Sequence, residues 1–284
     1  MPELPEVEVL ARHLKPLLPG KRIRGVEVLR ARVIRPGSLD DFRRALLGAT
    51  FTGLTRRGKY FLFQLRRAKS HERFTLLGHL GMTGRMYLAR KNEPVPKHAA
   101  VVLNLGRENF IYEDTRYFGR LTLDLTAVAG LGPEPLSAAF EPKSFGRALR
   151  RSAQAVKVKL LDQSLVAGIG NIYASEALFQ ARISPKLAAR RLTTGQVKKL
   201  WQAIRRVLTE AIECGSTVPL RFAGGATDGL FYFGLAPGAP GFYSERLCVY
   251  DHAGQPCPRC GRAIKRVVQA ARSTFFCPQC QRNL

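Results

Sequence analysis

The sequence predicts an α+β chain with a β-sandwich or barrel in its N-terminal half, a helical domain after it, and a small cysteine-closed hairpin at the end. Three observations carry that prediction. Short β-branched and aromatic runs, cut by Gly, Pro and charged turns, extend from Ile23 to about Leu125. Helical periodicity takes over beyond Ser144. The tail then carries CPRC, sixteen intervening residues and CPQC.

Taken in order, Pro5 is a good first helical position, and Val7, Leu10, Leu14 and Leu17 recur at helical spacing. A helix from about Pro5 to Lys15 follows, stopped by Pro16, Pro19 and Gly20. Strands are predicted at Ile23 to Leu29, Phe51 to Arg57, Tyr60 to Leu65, Phe74 to Leu80, Ala100 to Leu105 and Phe110 to Glu113, with a helix near Leu39 to Leu47. The stretch GLGPEPLSAAFEP marks a linker, which divides the chain into residues 1–129, a linker 130–143, a helical domain 144–245 and a tail 246–284. Helices are expected at Ser144 to Ala153, Lys157 to Leu165, Asn171 to Ala181 and Thr194 to Glu213. Between the second and third, VAGIGN allows a sharp bend, and Asn171 can cap the helix it opens. Such a glycine-preceded N-terminus reads either as an anion site, because its N–H groups point outward, or as a well-capped corner. Residues 218–242 read as a loop rich in Gly, Phe and Tyr, with short extended pieces.

The formal net charge of +25 points to a polyanionic partner, with nucleic acid first and an anionic membrane surface second. No apolar run approaches the roughly 18 residues a bilayer span needs, and the acidic N-terminus is unlike a secretory leader. A cytoplasmic, reducing compartment is therefore expected, where cysteines serve as metal ligands or free thiols. The spacing of Cys257, Cys260, Cys277 and Cys280 is that of a zinc ribbon. With four ligand positions filled, one structural Zn²⁺ is expected, with no open position for a reacting water. Cys214 and Cys248 remain as plain thiols.

The chemistry sits at the start, MPELPEVE. Removal of Met1 leaves Pro2 with a free secondary amine, a nucleophile toward carbonyl-type carbons. A reference pKa of about 7.7–8.0 leaves a usable neutral fraction. Glu3 and Glu6 lie within one helical turn and are able to hold or move protons. The alternative is an ordinary Met-Pro start, with Glu3, Glu6 and Glu8 favouring a helix N-terminus.

PELPEVE, RRGKY at Arg56 to Tyr60, HLGMTG at His79 to Gly84, DTRYFG at Asp114 to Gly119, LLDQSLVAGIGNIYASEALF at Leu160 to Phe179 and the four tail cysteines occur in one order. From first residue to last, the chain resembles the formamidopyrimidine-DNA glycosylases. Those are bifunctional base-excision enzymes with an N-terminal β-sandwich, a helix-two-turn-helix domain and a C-terminal zinc finger.

The resemblance implies a glycosylase and AP lyase for oxidised purines, including 8-oxoguanine and formamidopyrimidines. Pro2 would be the nucleophile forming an imine at C1′, assisted by Glu3 and Glu6, with Lys59 and Arg272 at the lesion and its phosphate. It also implies that Lys157, Asn171 and His98 contact DNA, and that Met82, Arg116 and Phe118 fill the void left by an extruded nucleotide. Residues 218–242 would close over that nucleotide. The implied partner is double-stranded DNA with a damaged base, bound by a monomer that needs no small-molecule cofactor and no membrane, near the nucleoid.

Tyr117 departs from the pattern, standing where the family usually carries a second basic residue, and so does FAGGATDGLFYFG in the 218–242 loop. Two other readings are an endonuclease VIII-like glycosylase for oxidised pyrimidines and a non-catalytic zinc-containing DNA-binding protein. Leu4, HLGMTG and DTRYFG favour the purine branch over the first. The free-amine proline beside two glutamates is what the second leaves unexplained.

Overall fold

The computed structural model describes residues 2–68, 70–215, 220–222, 231–233 and 246–282. Its contacts divide into two units. One comprises residues 1–2, 6–129 and 217–240; the other comprises residues 3–5, 130–216 and 241–284.

The first unit opens on α1 (Leu4–Leu17), most of which belongs to it. This helix runs through Pro16, contrary to the expected stop. Pro16 sits in the last turn, where a missing N–H breaks little of the ladder, and Leu14 and Leu18 fix that end in the core. The strands are β1 (Gly25–Val28), β2 (Thr50–Arg57), β3 (Tyr60–Arg66), β4 (Arg73–His79), β5 (Arg85–Arg90), β6 (Ala99–Asn104), β7 (Glu108–Glu113) and β8 (Arg120–Thr122), with α2 (Leu39–Leu46) after a 3₁₀ turn at Ala31–Ile34. They form two antiparallel four-stranded sheets, ordered β1-β6-β7-β5 and β2-β3-β4-β8. This is a sandwich and not a closed barrel. Phe51 and Phe63 of one sheet meet Phe110 of the other at centroid separations of 6.2 and 5.5 Å, so aromatic packing joins the inner faces. Strands β5 and β8 were not foreseen: β5 is buried on both faces and shows no alternation, and β8 is three residues long.

The second unit follows α3 (Thr126–Ala129) and contains α4 (Pro142–Arg150), α5 (Val156–Leu160), α6 (Asn171–Gln180) and α7 (Thr194–Glu213). Helix α4 starts two residues before Ser144 because Pro142 takes its first turn. The expected helix Lys157 to Leu165 ends at Leu160. Asp162 there accepts from both the N–H and the hydroxyl of Ser164 at 2.9 and 2.7 Å, folding a turn in place of the helix. Helix α7 has the predicted bounds, opened by a capping box between Thr193 and Gln196. Short strands β9 (Leu220–Phe222) and β10 (Phe231–Phe233), which belong to the first unit, pair antiparallel; the rest of the 218–242 loop lies outside the described residues. The tail hairpin is β11 (Lys265–Gln269) and β12 (Arg272–Phe276).

Candidate functional site

Residues Glu3–Pro5 belong to the second unit and are bound within it by hydrogen bonds that the sequence did not announce. The Glu3 carboxylate, 1% exposed, accepts the N–H groups of Gly170, Ile172 and Tyr173 at 2.7, 2.9 and 3.4 Å, and the Leu4 N–H donates to the Gly168 carbonyl at 3.1 Å. The outward-pointing N–H groups at the start of α6 are thus filled by the protein's own carboxylate. A Cβ at Gly170 would lie 2.3 Å from that carboxyl carbon, so only glycine admits the contact.

Asn171 is not the cap of α6, because Gly170 holds that position and makes no side-chain bond. Its amide instead donates to the Ser273 carbonyl on β12 at 2.9 Å, and its Oδ1 accepts from Lys157 Nζ. Lys157 has no exposed surface. Burial, with Arg272 adding repulsion, brings its ammonium down to about 8, against the pull of Glu3. Lys157 therefore acts behind Asn171, which it orients, and Arg272 begins β12 directly after the two-residue turn Ala270–Ala271. In that turn Ala270 and Ala271 both take left-handed conformations, φ +46° and +58°, which cost an L-residue roughly 1–2 kcal/mol each.

The four cysteine sulfurs lie within 4.8 Å of one another, with Cys257–Cys280 at 3.9 Å and Cys260–Cys277 at 3.4 Å. A tetrahedral zinc with Zn–S bonds of about 2.3 Å spaces its sulfurs by about 3.8 Å, so the cluster fits one structural Zn²⁺. Glu176, buried among the apolar residues of α6, accepts the N–H groups of Cys248, Val249 and Tyr250 at 2.8–2.9 Å and ties the entry of this module to the helical unit. Burial raises its pKa against those three bonds. A lone carboxylate inside NIYASEALF was the sequence signal for it.

In the first unit, Pro2 is half-buried and Glu6 fully buried. Glu8 accepts from Arg12 and Arg56, each at 2.7 Å, and Arg56 also donates to the Gly58 carbonyl at 3.0 Å. These bonds fix α1 to the β2–β3 turn that carries Lys59, a lysine only 8% exposed. Burial raises the Glu8 pKa, but the two guanidiniums outweigh it and the net shift is downward.

Met82 and Phe118 stand out from this unit, 43% and 48% exposed. One carboxylate holds both of their loops. Asp114, without exposed surface, accepts from Thr83 Oγ1 at 2.6 Å, from the N–H groups of Arg116 and Gly119 at 3.1 and 2.9 Å, and from Tyr112 Oη at 3.4 Å. A Cβ at Gly81 would lie 2.5 Å from the Gly119 nitrogen, so the two backbones touch there. His98 adjoins the same place, its carbonyl accepting the Asp114 N–H at 3.0 Å. His79 stacks on Tyr60 with centroids 4.7 Å apart and accepts the Gly81 N–H at 3.2 Å. Burial, then Lys59 and Arg120, bring its ring down to about 4, against Asp114, so it is neutral near pH 7. Asp114 entered the sequence reading only as the first residue of DTRYFG, with no role of its own, although Asp followed two residues later by a turn N–H is a recognisable Asx signal.

The chain matches the formamidopyrimidine-DNA glycosylase N-terminal domain over residues 1–121, the H2TH domain of the same enzymes over 131–221 and the zinc finger found in FPG and IleRS over 254–283. It is 40% identical to the formamidopyrimidine-DNA glycosylase of Pelotomaculum thermopropionicum, over 99% of both chains. A crystal structure of a variant Lactococcus lactis FPG with Fapy-dG-containing DNA aligns at TM-score 0.87 and 33% identity, covering 99% of this chain and 100% of that one. MutM in complex with carbocyclic 8-oxo-G-containing DNA aligns at TM-score 0.86, with the same identity and coverage. The chain belongs to the formamidopyrimidine-DNA glycosylase family.

Proposed function

We propose that this protein is a base-excision DNA glycosylase with AP lyase activity that removes oxidised purines, 8-oxoguanine and formamidopyrimidines, from duplex DNA. The observation that carries the reading is at the N-terminus. The amine of Pro2 is one residue from a carboxylate locked by three backbone N–H groups, which holds a nucleophile beside a fixed acid–base group. Relatives crystallised with DNA containing Fapy-dG and 8-oxo-G support the substrate class.

The Pro2 nitrogen attacks C1′ of the extruded nucleotide, and the damaged base leaves with the electrons of the glycosidic bond. Glu3 serves the ring oxygen as the sugar opens, and Glu6 supports the positive charge of the resulting iminium. That charge acidifies the C2′ proton; its loss expels the 3′ phosphate, and a second elimination expels the 5′ phosphate. Hydrolysis of the last imine returns Pro2. The amine is the electron sink throughout, and zinc, held by Cys257, Cys260, Cys277 and Cys280, supplies structure by fixing the hairpin that presents Arg272. Lys59, Arg272, Asn171 with Lys157 acting through it, and His98 serve as contacts to the lesion strand. Met82, Arg116 and Phe118 fill the void, since extrusion costs a few kcal/mol of stacking that inserted side chains recover in part. The division at 130–143 and 246 separates the parts that do chemistry, hold phosphates and clamp the backbone. The reading places the protein with chromosomal DNA inside the cell; among the described residues, no helix is long and apolar enough to cross a membrane.

Borohydride trapping on a duplex with 8-oxoguanine opposite cytosine, with a dihydrothymine duplex in parallel, tests the reading. An adduct mapped to Pro2 on the purine lesion, lost in Pro2→Gly while duplex binding persists, is expected. Trapping confined to dihydrothymine would move the activity to pyrimidines. Undiminished incision by Pro2→Gly would overturn the amine mechanism.

A further inference from the structure

Beside the exposed Phe118 and the void-filling Arg116 lie two arginines, Arg30 and Arg32, that the mechanism leaves unused. The 3₁₀ turn Ala31–Ile34 is anchored by Val33 and Ile34, 0% and 2% exposed, while Arg30 and Arg32 point to solvent from the same short segment. Arg30 donates from Nε to the Tyr117 hydroxyl at 3.3 Å, and its guanidinium carbon lies 5.5 Å from the Tyr117 ring centroid. Arg32 lies over Phe118 at 5.7 Å, and Arg116 lies over the same ring at 4.9 Å. Tyr117 is held in a left-handed conformation, φ +53°, by the loop that Asp114 pins, so its hydroxyl and ring are presented to Arg30.

Among the described residues, none of these three arginines forms an ion pair with a carboxylate. Asp114, the acid nearest Arg116 in sequence, already accepts from four donors. Three guanidiniums crowded without an anion repel one another, a cost a phosphate would offset. Arg30 also donates from Nη1 to the Leu29 carbonyl at 2.8 Å, so Nε and Nη1 fix its guanidinium and Nη2 is left for an anion, while Arg32, with its face over a ring, can turn its in-plane N–H edge toward phosphate oxygens.

We propose that Arg30 and Arg32 form a phosphate-binding site for the DNA backbone beside the point where Phe118 enters the duplex, with Tyr117 and Phe118 as the stacking platform that orients them. The proposal rests on the glycosylase reading for its ligand. It adds two contacts from a segment outside every motif that carries the family resemblance.

The test measures affinity for a duplex with a tetrahydrofuran abasic analogue between about 50 and 200 mM salt, for the parent, Arg30→Gln/Arg32→Gln and, as an equal loss of charge elsewhere, Lys91→Ala/Arg107→Ala. Each phosphate contact contributes a slope of about 0.9 in log K against log salt, so the Gln pair should lose about 1.8 and the control pair none. Arg30→Lys/Arg32→Lys keeps the charges and should keep the slope while binding more weakly at fixed salt. A parental slope in the Gln pair, or an equal fall in the control pair, overturns the proposal. Incision of a duplex carrying 8-oxoguanine opposite cytosine by the parent enzyme is scored in parallel, because the tetrahydrofuran analogue has no group at C1′ for the amine to displace. Absence of parental incision condemns the glycosylase reading, whereas an unchanged slope with incision intact condemns only the arginine site.

Discussion

Two regions that the proposed function brings to DNA are held by opposite means. The Met82 and Phe118 loops lie on a sandwich whose core spans both sheets, and one buried carboxylate, Asp114, gathers two hydroxyls and two backbone N–H groups to fix them. The hairpin that carries Arg272 belongs to a module whose buried cluster comprises Phe179, Val249, Cys257, Ile264, Phe275 and Cys277, two of them zinc ligands. A core that small does not close alone, so a metal supplies what burial cannot. A large core makes a hydrogen-bonded carboxylate sufficient to shape a loop; a small one needs coordinate bonds.

Removing zinc should break that comparison most completely. Chelation is expected to abolish lesion-duplex binding while the sandwich keeps its cooperative melt, because apparent zinc binding energies of roughly 10 kcal/mol or more are folding energy for such modules. Circular dichroism with a binding titration checks it, and a global collapse would show that the two regions are not independent.

Asp114→Asn comes next. Asn keeps one acceptor oxygen but turns an N–H₂ toward donors, so a loss of about 1–3 kcal/mol in urea unfolding is expected. Lesion excision should fall further than cleavage of a preformed abasic site, which needs less void-filling. Equal losses on both substrates would remove the loops from the extrusion step.

Two pH responses sharpen the contrast. His79, lowered to about 4 by burial, binds fewer protons folded than unfolded between pH 4 and 6.5. Stability should therefore rise with pH through that window and be fully present above 6.5, and His79→Gln should flatten the rise. Lys157, lowered to about 8, binds fewer protons folded than unfolded between pH 8 and 10.5. Its contribution to stability also rises with pH there, while DNA affinity falls as the charge behind Asn171 is lost. Melting and binding titrations on parent and Lys157→Met separate the two trends.

The smallest expected effect lies in the hairpin turn. Ala270→Asn/Ala271→Gly places residues tolerant of φ > 0 where two alanines are strained, and should raise stability by about 1 kcal/mol with zinc bound. Should affinity fall at the same time, the strain serves to aim Arg272.

The legible elements were those with a strong local signal. Thr194 to Glu213 has one apolar face and a capping box, and its bounds came out as read. The cysteine spacing fixed the metal module because each CxxC knuckle folds on its own few residues. Strand β5 was missed because burial on both faces erases alternation, and α1 outran Pro16 because tertiary packing of Leu14 and Leu18 overrode a local breaker. At the site, Asn171 looked like a cap by position, yet Glu3, 167 residues from Gly170, took the role.

The sequence by itself determined the place of Pro2 behind Met1, the four clustered cysteines, the excess of positive charge and the division into β-rich and helical parts, because residue chemistry and short-range periodicity are written along the chain. The partners of buried charge were decided only by tertiary structure: Glu3 with the start of α6, Asp114 with two loops, Glu176 with the entry to the zinc module. A buried carboxylate must find donors wherever the fold brings them, and a donor supplied by backbone N–H has no side chain for a sequence to display.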